Sequence, residues 1–201
     1  MNEIPQIRDI TIDDYIEEIN KSLVNKNYLS ALSVALMIPD ICKKLDNEDL
    51  SYAQWFNKYA FPKYYNLEYV EEPIKKDRSY SLYQIRLDGN VCYALRNAIL
   101  HSGTSYIRFN RQHQKERAKI DRIELCINSD SSLESQYGEA VSIVTYDENK
   151  RIISIRVNII SLIVSIIKGF EEFKVQNNDT RLFSIIDWDK KDGKIIFMPN
   201  E

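Results

Sequence analysis

The chain has 201 residues, of which 44% are hydrophobic and only 5 are glycine and 5 proline. This length suits one domain with a substantial core, and the shortage of turn residues argues against a β-sandwich. The net charge of −3 excludes a globally basic nucleic-acid binder, so binding of that kind would need a local basic patch.

The cysteines and the apolar runs bear on where the protein works. Cys42, Cys92 and Cys126 are odd in number and have no metal-ligand spacing, which predicts a reduced, cytoplasmic protein. The sequence also has no acidic cluster with metal-ligand spacing and no glycine-rich phosphate loop, so we expect neither a metal nor another cofactor. The first residues, MNEIPQIRDI, lack the pattern of a signal peptide. The most apolar run, 159–167, is far shorter than the roughly 20 residues of a membrane-spanning helix. We therefore expect a buried helix there and no membrane partner.

The first predicted elements are two helices. Thr11 and Asp14 have the spacing of a capping box, which predicts the start of a helix over 11–25. A second helix is predicted over 28–45, where apolar residues recur at helical spacing. We expect Pro39 to kink this second helix, because proline has no N–H to donate.

Two further helical segments complete the first half. Asp49 is predicted to cap a third helix that runs through residue 61 and ends at Pro62. Residues 63–76 are predicted to form a loop. A fourth helical segment is predicted over 79–102, and Gly103 stands where a C-terminal glycine cap belongs.

The second half predicts strands and one more helix. The predicted elements are a strand over 123–127, a hairpin of 141–146 with 152–157, a helix over 158–173 and a final hairpin of 182–186 with 194–198. The fold class is therefore α+β, predominantly α. We expect one domain over 1–201: a helical bundle formed by about 10–103 and 158–173, with a small antiparallel β element at about 120–157 and 182–198.

The helix that ends at Gly103 divides into two arcs on a helical wheel. The first spans about 100° and predicts a buried face; its members are Val91, Leu95, Ala98, Ile99 and Ser102. The second spans about 140°; its members are Tyr93, Arg96, Asn97, Leu100 and His101. The second arc presents a cation, an amide, a phenol and an imidazole, which are groups that bind a phosphate and transfer a proton.

These polar residues suit proton transfer next to a bound phosphate. Histidine transfers protons near neutral pH, and the planar fork of arginine stabilises a negatively charged phosphorane. Asn97 precedes His101 by one helical turn, so it is expected to orient the imidazole or to hold the phosphate. Tyr93 lies on the same line of the helix and is a candidate for stacking on a base.

The run Arg96-Asn97-Ala98-Ile99-Leu100-His101 resembles the R-x4-6-H motif of the HEPN superfamily. Members with this motif are commonly metal-independent endoribonucleases of toxin–antitoxin, abortive-infection and CRISPR systems. The resemblance implies a helical bundle and makes Arg96, Asn97 and His101 the catalytic residues. It also implies RNA as substrate, a role in prokaryotic antiviral defence or in a toxin–antitoxin pair, and an antitoxin protein as a possible partner. The predicted strands have no counterpart in the resemblance.

A homodimer is a further expectation. Arg96 and His101 are about 140° apart on an ideal helix, so we expect no tight pair between them within one chain. HEPN ribonucleases typically work as two-fold dimers, and the resemblance implies that two copies of this helix share one cleft. Leu100, apolar within the polar arc, is the kind of residue that such an interface covers.

A second R-x4-H spacing, Arg108 with His113, lies in a segment without an apolar face and predicts only a solvated stretch. Within that stretch, Arg108, Arg111 and Lys115 are candidates for binding the RNA backbone.

Two other readings stay open. One is a catalytically silent HEPN module that binds RNA, a nucleotide or a partner protein. The other is an unrelated helical interaction domain, in which Arg96 forms an ion pair and His101 is favoured at the helix end by the helix dipole.

Overall fold

The computed structural model describes residues 5–45, 49–65, 87–105, 122–127, 141–147, 150–177 and 181–191. The helices are α1 Ile12–Val24, α2 Tyr28–Ala35, α3 Ile38–Leu45, α4 Tyr52–Trp55, α5 Phe61–Tyr65, α6 Gly89–Ser102 and α7 Ile159–Gln176. The strands are β1 Pro5–Thr11, β2 Arg122–Cys126, β3 Val141–Asp147, β4 Lys150–Asn158 and β5 Arg181–Lys191. The fold is α+β and predominantly α, as predicted.

The predicted start of α1 is confirmed, but the predicted second helix is two helices. The backbone N–H of Thr11 donates to the Asp14 carboxylate at 2.8 Å, as a capping box requires. Residues 36–37 form a turn that separates α2 from α3, and Pro39 is the second residue of α3. A proline is tolerated in the first turn because the N–H groups there have no partner within the helix.

The predicted boundaries of the third helix are wrong at both ends. Asp49 has a left-handed φ of 50°, and Ser51 caps α4 instead. The helix does not end at Pro62, because a π-helical turn, Phe56–Ala60, leads directly into α5. In a π-helical turn the backbone hydrogen bonds join residues five apart instead of four, so the bonding pattern changes just before Pro62. Residues 63–65 are therefore helical, while 66–76 of the predicted loop lie outside the described residues.

α7 is the central helix of the core, and the predicted buried helix is confirmed. Asn158 caps it by accepting hydrogen bonds from two N–H groups of its first turn, at 2.9 and 3.2 Å. It packs against the π-helical turn, α5, α2 and α3. Its fully buried side chains meet the aromatic rings of the preceding helices; the largest of these core side chains are Trp55, Phe56, Tyr59, Phe170 and Phe173. Within the described ranges, no helix is both long and apolar enough to cross a membrane.

The strands form two small sheets. β4 pairs antiparallel with β3, which confirms the predicted hairpin. β4 also pairs parallel with β2, so the sheet is mixed, and the prediction of a wholly antiparallel element is wrong for this pair. β5 pairs antiparallel with β1, a strand that the sequence did not predict. The proposed partner of β5, 194–198, lies outside the described residues.

α6 is fixed at both ends. The Asp88 carboxylate accepts hydrogen bonds from two N–H groups of the first turn, at 3.0 and 3.1 Å. At Gly89, a Cβ atom would lie 2.1 Å from the carbonyl oxygen of Ala53, so only glycine lets α6 begin against α4. Gly103 ends the helix at a φ of +59°, which confirms the predicted glycine cap. Residues 79–86 of the predicted helix lie outside the described residues.

Candidate functional site

The two predicted faces of α6 are present in the structure. Val91, Cys92, Leu95 and Ala98 are buried, with Leu95 at 0% exposure. This face packs against α4, the π-helical turn and α2. Toward the C-terminal end the burial declines: Ile99 is only half-buried and Ser102 is exposed. The prediction of a buried face is therefore wrong for Ile99 and Ser102, since the last turn of α6 projects beyond the core.

On the polar face, the Arg96 guanidinium contacts both other motif residues. Its Nη1 donates to Asn97 Oδ1 at 2.8 Å and lies 3.0 Å from His101 Nε2. The prediction that Arg96 and His101 form no pair within one chain is wrong. The angle of about 140° describes only where the two side chains leave the helix. The arginine side chain is long and flexible enough to reach around the helix to His101. One chain therefore brings the cation and the imidazole together.

The contact between Arg96 and His101 fixes the form of the imidazole. A guanidinium has only N–H donors, so Nε2 must be the acceptor. The ring in this contact is therefore neutral, with its proton on Nδ1. Protonation would turn Nε2 into a donor and break the contact. His101 is exposed at the end of α6, where solvent and a ligand have access to it.

A fourth residue, Asp40 in the first turn of α3, completes the group. Its Oδ2 lies 2.8 Å from Arg96 Nη2, and the two side chains are 33% and 21% exposed. Sequence reasoning missed Asp40, because nothing in the local pattern of residues 38–45 links this turn to a helix that begins at Gly89. We refer to Asp40, Arg96, Asn97 and His101 as the Arg96 cluster.

The ion pair between Asp40 and Arg96 is imperfect. Arg96 Nε is buried, and it has no hydrogen-bond partner among the residues that the structure describes. Asp40 Oδ2 is buried as well and accepts no hydrogen bond from them. Although Nη2 lies 2.8 Å from this oxygen, its N–H bonds do not point at it. The contact is therefore an attraction between charges without the alignment of a bidentate pair.

Tyr93 borders the Arg96 cluster. Its ring is 44% exposed, as predicted for the polar face, and it lies 5.2 Å from the ring of the buried Tyr52. Beneath it, the Tyr52 hydroxyl and the Cys92 sulfur are 3.5 Å apart. Burial raises the pKa of Cys92 to about 12 and the pKa of Tyr52 well above its ordinary value. The Cys92 thiol is therefore no nucleophile, and Tyr93 is the aromatic group open to a ligand.

The predicted basic contacts Arg108, Arg111 and Lys115, together with His113, lie outside the described residues. Across the described part of the chain, no group of His, Cys, Asp and Glu has the arrangement of a metal site. Comparisons with family models, curated proteins and solved structures find no match for this chain. What the protein does must therefore be inferred from the geometry of the Arg96 cluster.

Proposed function

We propose that this protein is a metal-independent endoribonuclease of HEPN type, which cleaves RNA by attack of a 2′-hydroxyl on the adjacent phosphorus. The observation that carries the proposal is the 3.0 Å contact between Arg96 Nη1 and His101 Nε2. It puts a permanent cation beside a proton acceptor at the exposed end of α6. These are the two groups that such a reaction needs at the phosphorus and at the attacking oxygen.

In this mechanism, the substrate exchanges the resting contacts for catalytic ones. The phosphate binds to Arg96 and the guanidinium moves away from His101, which releases the lone pair of Nε2. Nε2 then accepts the proton of the 2′-hydroxyl while that oxygen bonds to phosphorus. The bond to the 5′-oxygen breaks, and this oxygen takes a proton from solvent or from the newly protonated ring. The products are a 2′,3′-cyclic phosphate and a 5′-hydroxyl.

Asn97 has a positioning role in this proposal. Its Oδ1 accepts from Arg96 Nη1 at 2.8 Å, so it orients the guanidinium rather than the imidazole. Tyr93, 44% exposed, is proposed to stack on a base next to the scissile phosphate.

The biological setting is proposed from the motif resemblance. It implies a prokaryotic defence or toxin role, an antitoxin protein as a possible partner, and a homodimer. The dimer is not needed to bring Arg96 to His101, because the two meet within one chain at 3.0 Å.

A second candidate is a catalytically silent module that binds RNA. The observation that favours it is the ion pair with Asp40, which already engages Arg96. Such a module would bind RNA through the same face of α6 without cleaving it.

The deciding experiment incubates the purified protein with mixed cellular RNA in the presence of EDTA. We expect cleavage to persist, with products that end in a 2′,3′-cyclic phosphate, and we expect His101→Ala to abolish it. His113→Ala is the matched control, because it removes the histidine of the second R-x4-H spacing and should cleave like the unaltered protein. RNA binding without cleavage would support the silent module. Cleavage that survives in His101→Ala but stops with EDTA would refute the proposed mechanism.

A further inference from the structure

The donors of Arg96 are unevenly used. Both N–H groups of Nη1 have acceptors within α6, because Nη1 contacts Asn97 Oδ1 at 2.8 Å and His101 Nε2 at 3.0 Å. The remaining donors lie on the other edge of the guanidinium, which is formed by Nε and Nη2. This edge presents two parallel N–H groups and is a common seat for a carboxylate or a phosphate.

Asp40 lies at this edge. Its Oδ2 is 2.8 Å from Nη2, yet neither this oxygen nor Arg96 Nε has a hydrogen-bond partner among the described residues. A bidentate pair would satisfy both atoms. The carboxylate therefore occupies the anion-binding edge of Arg96 without filling its hydrogen-bonding capacity.

The charges also balance without a ligand. Asp40 supplies one negative charge and Arg96 one positive charge, and the imidazole in its contact with Arg96 is neutral. An incoming phosphodiester therefore meets no net positive charge in the Arg96 cluster while Asp40 is in place. Once the carboxylate moves away, the cluster offers one full positive charge and two free parallel donors.

The surroundings of Asp40 favour its displacement from Arg96. Its side chain is 33% exposed, so solvent lies beside the carboxylate that has to move. It also belongs to the first turn of α3, where the positive end of the helix dipole favours a carboxylate whether or not it touches Arg96. Its release from Arg96 therefore leaves part of its stabilisation intact.

We propose that Asp40 is a resident anion at the phosphate-binding edge of Arg96, and that the phosphodiester of RNA must displace it to bind. The inference rests on the proposed function, since it takes the displacing anion to be an RNA phosphate. It adds a regulatory contact: the site is closed by its own chain until an anion competes for Arg96.

The test measures phosphate binding at Arg96 by NMR of the arginine Nε–H resonance, which is assigned by its loss in Arg96→Ala. The probe is inorganic phosphate, added to the whole protein. We expect Asp40→Asn to bind phosphate about tenfold more tightly than the unaltered protein, because it removes one carboxylate a few ångströms from the bound anion and nearly keeps its shape.

The matched control is Asp13→Asn. Asp13 pairs with Lys174 at 2.6 Å on the surface, so this variant makes the same change of net charge away from the Arg96 cluster. Its phosphate affinity should equal that of the unaltered protein. Equal or weaker phosphate binding in Asp40→Asn would overturn the proposal, as would an Arg96 resonance that phosphate never shifts.

A second measurement follows the unaltered protein, so it does not depend on whether Asp40→Asn folds. In the unaltered protein, saturating phosphate should move the carboxyl ¹³C resonance of Asp40 toward that of a solvated aspartate. If the Arg96 resonance shifts while the Asp40 resonance stays in place, phosphate does not displace Asp40 and the proposal fails. Neither measurement requires RNA cleavage, so an inactive protein would refute the proposed ribonuclease and leave this test to decide the role of Asp40.

Discussion

The two faces of α6 are built on opposite principles. On the buried face, Leu95 is fully enclosed, and even the polar groups of Cys92 and Tyr52 contact each other at 3.5 Å. On the opposite face, Arg96 carries its charge to a half-open surface and leaves its Nε without a hydrogen bond among the described residues. One face is packed for stability, and the other keeps binding capacity in reserve.

Substitutions on the two faces of α6 can therefore distinguish the site from the scaffold that carries it. A side chain that serves packing should cost folding free energy when it is cut and leave the chemistry of the folded molecules unchanged. A side chain that serves a ligand should do the reverse, because water can replace its contacts but a reaction cannot proceed without it.

The largest expected effect is on the polar face. Arg96→Ala should lower the rate of RNA cleavage by about 10²–10³-fold, since an electrostatic stabiliser of the transition state is lost. Arg96→Lys should be nearly as poor, because one ammonium cannot offer a phosphate two parallel donors as the guanidinium fork does. Initial cleavage rates measure the loss, and circular dichroism verifies the fold. An active Arg96→Ala variant would remove the basis for assigning Arg96 a catalytic role.

On the buried face, the expected effect is on folding. Leu95→Ala should lower the free energy of unfolding by about 2–5 kcal/mol, because it leaves a cavity at a fully buried position. Leu29→Ala is the matched control; Leu29 is 66% exposed, so its loss should change stability by less than about 0.5 kcal/mol. Urea unfolding followed by circular dichroism measures both values. Equal stability of the two variants would mean that Leu95 is not part of a packed core.

The buried face of α6 should also make stability depend on alkaline pH. Burial holds the pKa of Cys92 at about 12, above its ordinary value of 9.0. Between these values the unfolded chain has lost this proton and the folded chain has kept it, so stability falls as pH rises. The pKa of Tyr52 is raised as well, which extends the fall.

The check on this pH dependence is thermal unfolding at a series of alkaline pH values. Cys92→Ala should lose less stability across this range than the unaltered protein. Identical slopes for Cys92→Ala and the unaltered protein would show that Cys92 titrates normally.

The smallest expected effect belongs to Asn97. Asn97→Ala removes the acceptor that lies 2.8 Å from Arg96 Nη1, but the contacts of Arg96 with Asp40 and His101 remain. A hydrogen bond to a charged group is worth about 1.5–3 kcal/mol. Because water can replace the lost acceptor at this half-open surface, we expect the lower end of that range, and cleavage should slow by about tenfold. A loss as large as that of His101→Ala would show that Asn97 acts on the substrate directly.

The sequence was most informative where structure is local. The capping box at Thr11 and Asp14, the glycine cap at Gly103 and the buried face around Leu95 all follow from spacing within one helix, and the structure has them as predicted. Helix boundaries near prolines were less accurate, because the π-helical turn before Pro62 has no signal in residue spacing.

Contacts between distant segments could not be predicted in the same way. The pairing of β1 with β5 joins the two ends of the chain, and the pairing of Asp40 with Arg96 joins two helices through their packing. The prediction that Arg96 and His101 do not pair within one chain was wrong for a different reason. A helical wheel records where side chains start, and a long arginine ends elsewhere.

The most direct test of the central claim, that Arg96 and His101 form one site within one chain, is the tautomer of His101. Two-bond ¹H–¹⁵N NMR of the imidazole nitrogens at mildly alkaline pH reports it, with His113 as an internal reference. We expect His101 to carry its proton on Nδ1 and to leave Nε2 bare, and we expect Arg96→Ala to remove this preference. A His101 ring with its proton on Nε2 would rule out a shared site, because a donor at that nitrogen cannot face the guanidinium of Arg96.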